Sequence, residues 1–203
     1  TGITPKLGIR VKLSSKGTGK WATSGGEDAK FGLRISEIIT ATELLEEEGM
    51  LDSLKLLHFH IGSQITKIDK IKTALIEGTR VYAEMRKMGV NLEYVDIGGG
   101  LGVDYDGSKS SYFSSVNYTV EEYANDVVYQ IKNICDEAGV ECPNIISESG
   151  RAIVAHYSVL VTNALNTNTQ SLTPDFEEVL ESGQKLSPTV KKLVDIYQSI
   201  DRH

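Results

Sequence analysis

Three apolar runs, at residues 54–61, 94–97 and 144–147, each break abruptly into a cluster of glycine and polar residues. The clusters are Gly62-Ser-Gln64, Gly98-Gly-Gly100 and Glu148-Ser-Gly-Arg151. Between the runs lie amphipathic stretches of helical period. One places Ile68, Ile71, Leu75, Tyr82 and Met85 on a single face and stops at Gly89. The other opens on Thr119-Val-Glu-Glu122, a capping-box pattern, buries Tyr123, Val127, Ile131, Ile134 and Ala138, and stops at Gly139. Connections of this length cannot be hairpins, so the strands run parallel with right-handed crossovers. Every polar cluster then falls beyond the C-terminal end of its strand, the face on which (β/α)8 barrels carry their active sites.

Residues 7–13 alternate as a further strand, with Ile9, Val11 and Leu13 on one side and Arg10 and Lys12 on the other. Ser36 is the expected N-cap of a helix carrying Ile38, Ile39, Thr42 and Leu45 and ending at Gly49. A fifth strand is expected at 157–162. The fold class is therefore α/β, a partial (β/α)8 TIM barrel made of its C-terminal strands, over residues 1–165. About four barrel strands are present where eight close the barrel. An open half barrel exposes strand edges, so the chain is expected to be a fragment or to pair with a second copy. Residues 166–171 form a polar linker. Thr173-Pro174 and Ser187-Pro188 each start an amphipathic helix, giving a helical hairpin over 166–203. The second helix runs to His203 without a stop signal, which again reads as truncation.

Composition removes several function classes. With 40% hydrophobic and 24% charged residues the chain is ordinary for a soluble globular domain. No apolar run is long enough for a bilayer and no signal peptide opens the chain, so no membrane role is expected. A net charge of -7 without a basic patch argues against nucleic acid. Two cysteines, Cys135 and Cys142, suit a reducing, cytoplasmic setting better than a disulfide scaffold.

The chemistry concentrates at the strand ends. Gly98, Gly99, Gly100 and Gly102 follow a strand directly, and such a turn can offer bare amides to a phosphate. The same glycines also suit a tight turn that needs only positive φ. Neither the P-loop nor the dinucleotide fingerprint fits. His58 and His60 share a strand face. They could begin a metal site, but His156 and His203 are the only other histidines and neither is well placed, so interior hydrogen-bonded histidines are the favoured reading. Glu148, at the end of a buried run, needs a cation. Arg151 could supply it, or the cation could belong to a ligand, such as a protonated pyridine nitrogen. Arg10 faces either a barrel interior or solvent at an edge.

Lys30-Phe-Gly32, His58-Phe-His-Ile-Gly-Ser-Gln64, Asp96-Ile-Gly-Gly-Gly100 and Glu148-Ser-Gly-Arg151 occur in this order. Together they resemble the fold-type III pyridoxal-phosphate decarboxylases, over residues 7–165. Further text, including Gly17-Thr-Gly-Lys-Trp21, Gly100-Leu-Gly-Val-Asp-Tyr105 and Glu148-Ser-Gly-Arg-Ala152, is most similar to the arginine-decarboxylating branch of that family. Diaminopimelate decarboxylases share part of it but usually carry proline where this chain has Ser149.

The resemblance implies that the barrel holds pyridoxal 5'-phosphate and that a β-domain completes the site across a homodimer. It implies that His60 stacks on the pyridine ring and that Glu148 pairs with the ring nitrogen. It implies that Ser63, Gly98, Gly99, Gly100 and the backbone around Gly150 and Arg151 bind the phosphate, with Arg10 near the ring. His60 and Glu148 are the implied catalytic residues, and arginine is the implied substrate. Mg2+ is implied for whole enzymes, without a convincing ligand set here, so no metal ligand is assigned. The cofactor-linking lysine of the family matches neither Lys6 nor Lys12, and neither cysteine matches its proton-donating one, so this piece alone is expected not to turn over. The alternative reading is a diaminopimelate or ornithine decarboxylase of the same fold, and behind it stand a metal-dependent barrel hydrolase and a catalytically silent decarboxylase homologue.

Overall fold

A computed structural model describes residues 2–15, 30–163 and 187–199. Its elements are β1 (Leu7–Arg10), α1 (Ile35–Glu47), β2 (Leu54–His58), α2 (Ile68–Lys87), β3 (Tyr94–Asp96), α3 (Val120–Ala138), β4 (Asn144–Ile146) and α4 (Gly150–Val154). A separate helix spans Pro188–Ser199. The chain divides into two compact units, Thr1–Val159 and Leu160–His203.

The first unit is an α/β fold around a four-stranded sheet in the order β1-β2-β3-β4. All three pairings are parallel, as the long connections require. Register puts Arg10 beside His58, His58 beside Asp96, and Asp96 beside Ile146. The last residue of every strand therefore lies in one row, and the polar clusters follow directly beyond it. Ladder-like bonds carry on past the row: Phe59 N–H donates to Asp96 O at 3.0 Å and Ile97 N–H to Ile146 O at 3.0 Å.

Helices α2 and α3 cover the sheet because their apolar stripes face it. Ile71, Leu75, Tyr82 and Met85 from α2, and Tyr123, Val127 and Ile131 from α3, are buried with Leu54, Leu57, Phe59, Val95 and Ile97. Ile68 and Ala138, expected in these stripes, are half-buried at the helix ends. Gly78 lies inside α2, where glycine costs about 1 kcal/mol relative to alanine. A Cβ there would stand 2.3 Å from the Phe59 ring, so the gap in α2 is what seats Phe59.

Thr119 caps α3 as expected: Glu122 N–H donates to Thr119 Oγ1 at 3.1 Å, and Thr119 N–H to the Glu122 carboxylate at 2.7 Å. Gly139 closes the helix at φ +68°. The start of α1 differs from expectation. Its N-cap is Arg34, whose N–H donates to the Glu37 carboxylate at 2.7 Å, so the helix begins before Ser36. Ile38 and Thr42 of its expected stripe are buried, whereas Ile39 is exposed.

The expected fifth strand does not form. Residues 158–163 lack regular structure, and Tyr157, Val159, Leu160 and Val161 are exposed. Their β-forming side chains have no neighbouring strand to pair with among the described residues, and β propensity alone does not hold a strand. Instead α4 follows β4, and His156 sits in a turn rather than in a strand. All three residues of β4 are exposed, as an open sheet edge requires. In the second unit, Pro188 begins its helix as expected, with Ser187 Oγ accepting from Val190 N–H at 3.3 Å. The linker, the helix expected at Thr173-Pro174, and Trp21 lie outside the described residues.

Candidate active site

The site is built on the row Arg10–His58–Asp96 and on the turns that leave it. Asp96 is a buried carboxylate with two tasks. Its Oδ1 accepts from Gly98 N–H at 2.9 Å, and its Oδ2 lies 3.5 Å from His58 Nδ1. The first contact is an Asx-type turn, two residues long, which bends the chain from strand into glycine loop. His58 Nε2 is buried and has no partner among the described residues.

His60 accepts at Nδ1 from Gly99 N–H, at 3.1 Å. For a neutral imidazole this places the proton on Nε2. Burial, then the nearby Arg10 charge, pushes the His60 pKa below its ordinary value, with Glu148 pulling the other way. The neutral form is thus the one the site supports. The tautomer bears on the metal reading. His58, His60 and Glu148 can each bring one ligand atom within 4.8 Å of the others, the one such group found among the described residues. Yet the lone pair of His60 Nδ1 is engaged by Gly99, and Nε2 carries the proton. Neutral His60 has no lone pair left for an ion, and the group is better described as a polar surface than as a metal cage.

The glycines are needed for closeness. Gly98 has φ +67°, and a Cβ on it would stand 2.5 Å from Phe59 O and 2.8 Å from His60 Nδ1. Gly100 has φ +100°, with its virtual Cβ 2.6 Å from Gly62 O. Gly99 has no positive φ, but its Cβ would meet Glu148 O at 2.8 Å. The loop is thereby pressed against the ends of β2 and β4. Glu148 N–H donates to Gly98 O at 2.9 Å and Ile65 N–H to Gly100 O at 2.9 Å. Gly98 and Gly99 spend their amides inward, on Asp96 and His60. Of the three, the Gly100 amide is the one not committed to a neighbour among the described residues.

Arg151 turns away from Glu148. Its Nη2 donates to Ser63 Oγ at 2.9 Å and its Nη1 to the Tyr105 hydroxyl at 3.0 Å. It makes no ion pair with Glu148 among the described residues. Gly150 and Arg151 begin α4 rather than lying in a loop. Arg10 lies with its guanidinium carbon 5.4 Å from the centre of the Phe31 ring, so the Lys30-Phe-Gly32 motif serves as its neighbour. The structure thus brings Arg10, His60, Ser63, Gly98, Gly99, Gly100, Glu148, Gly150 and Arg151 to one end of the sheet.

Sequence reasoning gave no role to Asp96, Gln64 or Tyr105. Asp96 could have been found, since a carboxylate two residues before a glycine is a turn signal. Gln64 and Tyr105 act across long sequence separations. Gln64 pairs twice with the Val103 backbone, accepting at 3.0 Å and donating at 2.8 Å.

A neutral histidine, a carboxylate with no ion pair among the described residues and an arginine–serine pair thus share the C-terminal rim of a parallel sheet. The chain belongs to the pyridoxal-dependent decarboxylases, whose pyridoxal binding domain family matches residues 3–155. It is 81% identical over 203 residues to the biosynthetic arginine decarboxylase of Geobacter sp. (strain M21), covering 100% of this chain and 32% of that protein. To the protein of the same name from Geotalea daltonii it is 84% identical over 202 residues, with the same coverage. The crystal structure of the biosynthetic arginine decarboxylase SpeA from Campylobacter jejuni matches 97% of this chain and 30% of that one, at 38% identity and a TM-score of 0.66. The chain therefore spans about a third of the length of the curated relatives it matches. These matches bear out the partial α/β barrel of the fold-type III enzymes. Among the described residues no helix is long and apolar enough to cross a membrane.

Proposed function

We propose that this chain is the cofactor-binding part of a decarboxylase that converts L-arginine to agmatine and CO2 for polyamine biosynthesis, with pyridoxal 5'-phosphate as cofactor. The observation that carries the reading is the separation of charges at the rim. Arg151 is engaged by Ser63 and Tyr105, which leaves Glu148 available to a cation from outside the chain. A pyridinium nitrogen is such a cation, and the Glu148 carboxylate would keep it protonated.

The donor set fits the cofactor's two ends. Arg151, Ser63, Gly150 and the Gly100 amide suit a phosphate. Gly98 and Gly99 carry the loop close enough to reach it. The neutral ring of His60, fixed in orientation by Gly99, would stack on the pyridine, with Arg10 beside it. Bound pyridoxal phosphate supplies the electron sink for the pair left on the substrate's α-carbon when CO2 departs. The protein's part is to hold a negative charge at the ring nitrogen throughout. The substrate rests on the names of the relatives, and a homodimer or larger homo-oligomer in the cytoplasm is part of the same proposal, the two free cysteines being consistent with that setting.

The test is Glu148→Gln in the full-length protein, with CO2 release from arginine and cofactor content both measured. Turnover is expected to fall on the order of 10²–10³-fold, as when a preorganised electrostatic partner is lost. Near-normal turnover with full cofactor content would sink the reading.

A further inference from the structure

We propose that Tyr105 is a positioning residue for phosphate recognition, its hydroxyl holding one arm of Arg151 while Ser63 holds the other. The inference rests on the pyridoxal-phosphate reading above and adds a residue to it.

Tyr105 lies in the loop that joins the glycine turn to α3, 46 residues before Arg151 in sequence. It is 52% exposed, so burial does not fix it. The loop does. Gln64 clamps Val103 from one side by the paired bonds described above. Asp104 accepts from the fully buried Ser115 hydroxyl at 2.6 Å, and Ser115 Oγ in turn accepts from Ser110 N–H at 3.0 Å. Asp106 accepts from Ser114 Oγ at 2.5 Å and from Ser108 N–H at 2.9 Å. Tyr105 itself donates its N–H to Ser114 O at 2.8 Å. Both flanking carboxylates and the tyrosine backbone are thus tied within one short loop, and the phenol is left reaching for α4.

An arginine side chain carries about 2 kcal/mol of rotamer entropy, which an anion must otherwise remove on binding. Here both Nη atoms are already held, and the Nη1 contact at 3.0 Å is the one Tyr105 supplies. A guanidinium set in advance binds a phosphate with less ordering cost. Tyr105 does not need to touch the cofactor for this. Its effect passes through Arg151, and it should therefore be felt by the phosphate and not by the ring.

The experiment uses the full-length protein stripped of cofactor and titrated with pyridoxal 5'-phosphate and, separately, with pyridoxal. Tyr105→Phe is expected to weaken the phosphorylated compound about three- to tenfold, the range for the net worth of one ordinary hydrogen bond, because its effect reaches the phosphate only through Arg151. Pyridoxal affinity should not change. In an Arg151→Ala background the same substitution should have no effect on either compound. Equal weakening of both compounds, or no weakening of either, overturns the proposal. Arg151→Ala is also the control for the underlying reading. If it fails to weaken the phosphorylated compound selectively, the phosphate site itself is misplaced and the role of Tyr105 falls with it. If it succeeds while Tyr105→Phe is silent, the site stands and only the tyrosine is refuted.

Discussion

The glycine loop separates two reasons for using glycine, and alanine at three positions measures them. Gly139 has φ +68° and open space where a Cβ would go. Alanine there meets only the left-handed penalty, about 1–2 kcal/mol, offset by about 0.4–1 kcal/mol from a less flexible unfolded chain. Gly99 is the converse. It has no positive φ, but its Cβ would stand 2.8 Å from Glu148 O. Gly98 combines both, with φ +67° and a Cβ 2.5 Å from Phe59 O. The crowding atoms are backbone, joined to the sheet by ladder bonds, so they cannot swing aside as a side-chain tip could. Overpacking of this kind costs about 1–3 kcal/mol. The expected order of destabilisation is therefore Gly139→Ala at about 1 kcal/mol, Gly99→Ala at about 1–3, and Gly98→Ala at about 2–4.

Urea unfolding of the three variants, compared by midpoint at a common slope, gives the values. With a slope near 2 kcal/mol/M, an extra 2 kcal/mol moves the midpoint by about 1 M. If Gly98→Ala costs no more than Gly139→Ala, close approach is not what the loop requires. Glycine would then serve only the turn, and the loop's contact with β2 and β4 would have to be looser than its distances indicate.

Two further outcomes follow from titration and burial. His60 has its pKa depressed below 6.5, chiefly by burial, so the unfolded chain binds its proton more readily than the folded one. Its contribution to stability is full above that value and is lost as pH falls through 6.5 toward the folded pKa, below which the loss levels off. His60→Asn keeps an acceptor for Gly99 N–H but does not titrate. It should flatten the decline in urea midpoint between about pH 7.5 and pH 5, and an unchanged slope refutes the assignment. Cys135 is fully buried, and burial pushes its thiol up to about 12, whereas Cys142 is exposed. Mapping by mass spectrometry after brief thiol labelling near pH 8 should find Cys142 modified and Cys135 untouched until the protein is unfolded. Rapid labelling of Cys135 would show that α3 opens at low cost.

Features written within a few residues were legible from the sequence. The capping box of α3 needs only Thr119 and Glu122, and the stop at Gly139 only a residue that tolerates φ +68°. The parallel sheet was legible because connection length excludes hairpins. The start of α1 was misread because Glu37 reaches back to Arg34, a competing cap that Ser36 obscured. The run at 157–162 was misread because alternating β-formers report a tendency to pair, not the presence of a neighbour to pair with.

The site shows the same division in its chemistry. Which residues gather at the sheet end followed from the strand ends that carry them. What each one bonds to did not, because the partners come from different crossovers. Arg151 stands three residues from Glu148 and was the obvious counter-charge, yet its bonds go to Ser63, 88 residues away, and to Tyr105. The glycines looked like phosphate donors, yet Gly98 and Gly99 turn their amides to Asp96 and His60. These facts have one cause. Asp96 bends the chain at Gly98, the bend presses the loop onto His60 and Glu148, and the histidine is locked as a neutral acceptor. A carboxylate and a guanidinium that could have neutralised each other are held apart, and that separation is what supports the proposal that they meet opposite ends of one dipolar ligand.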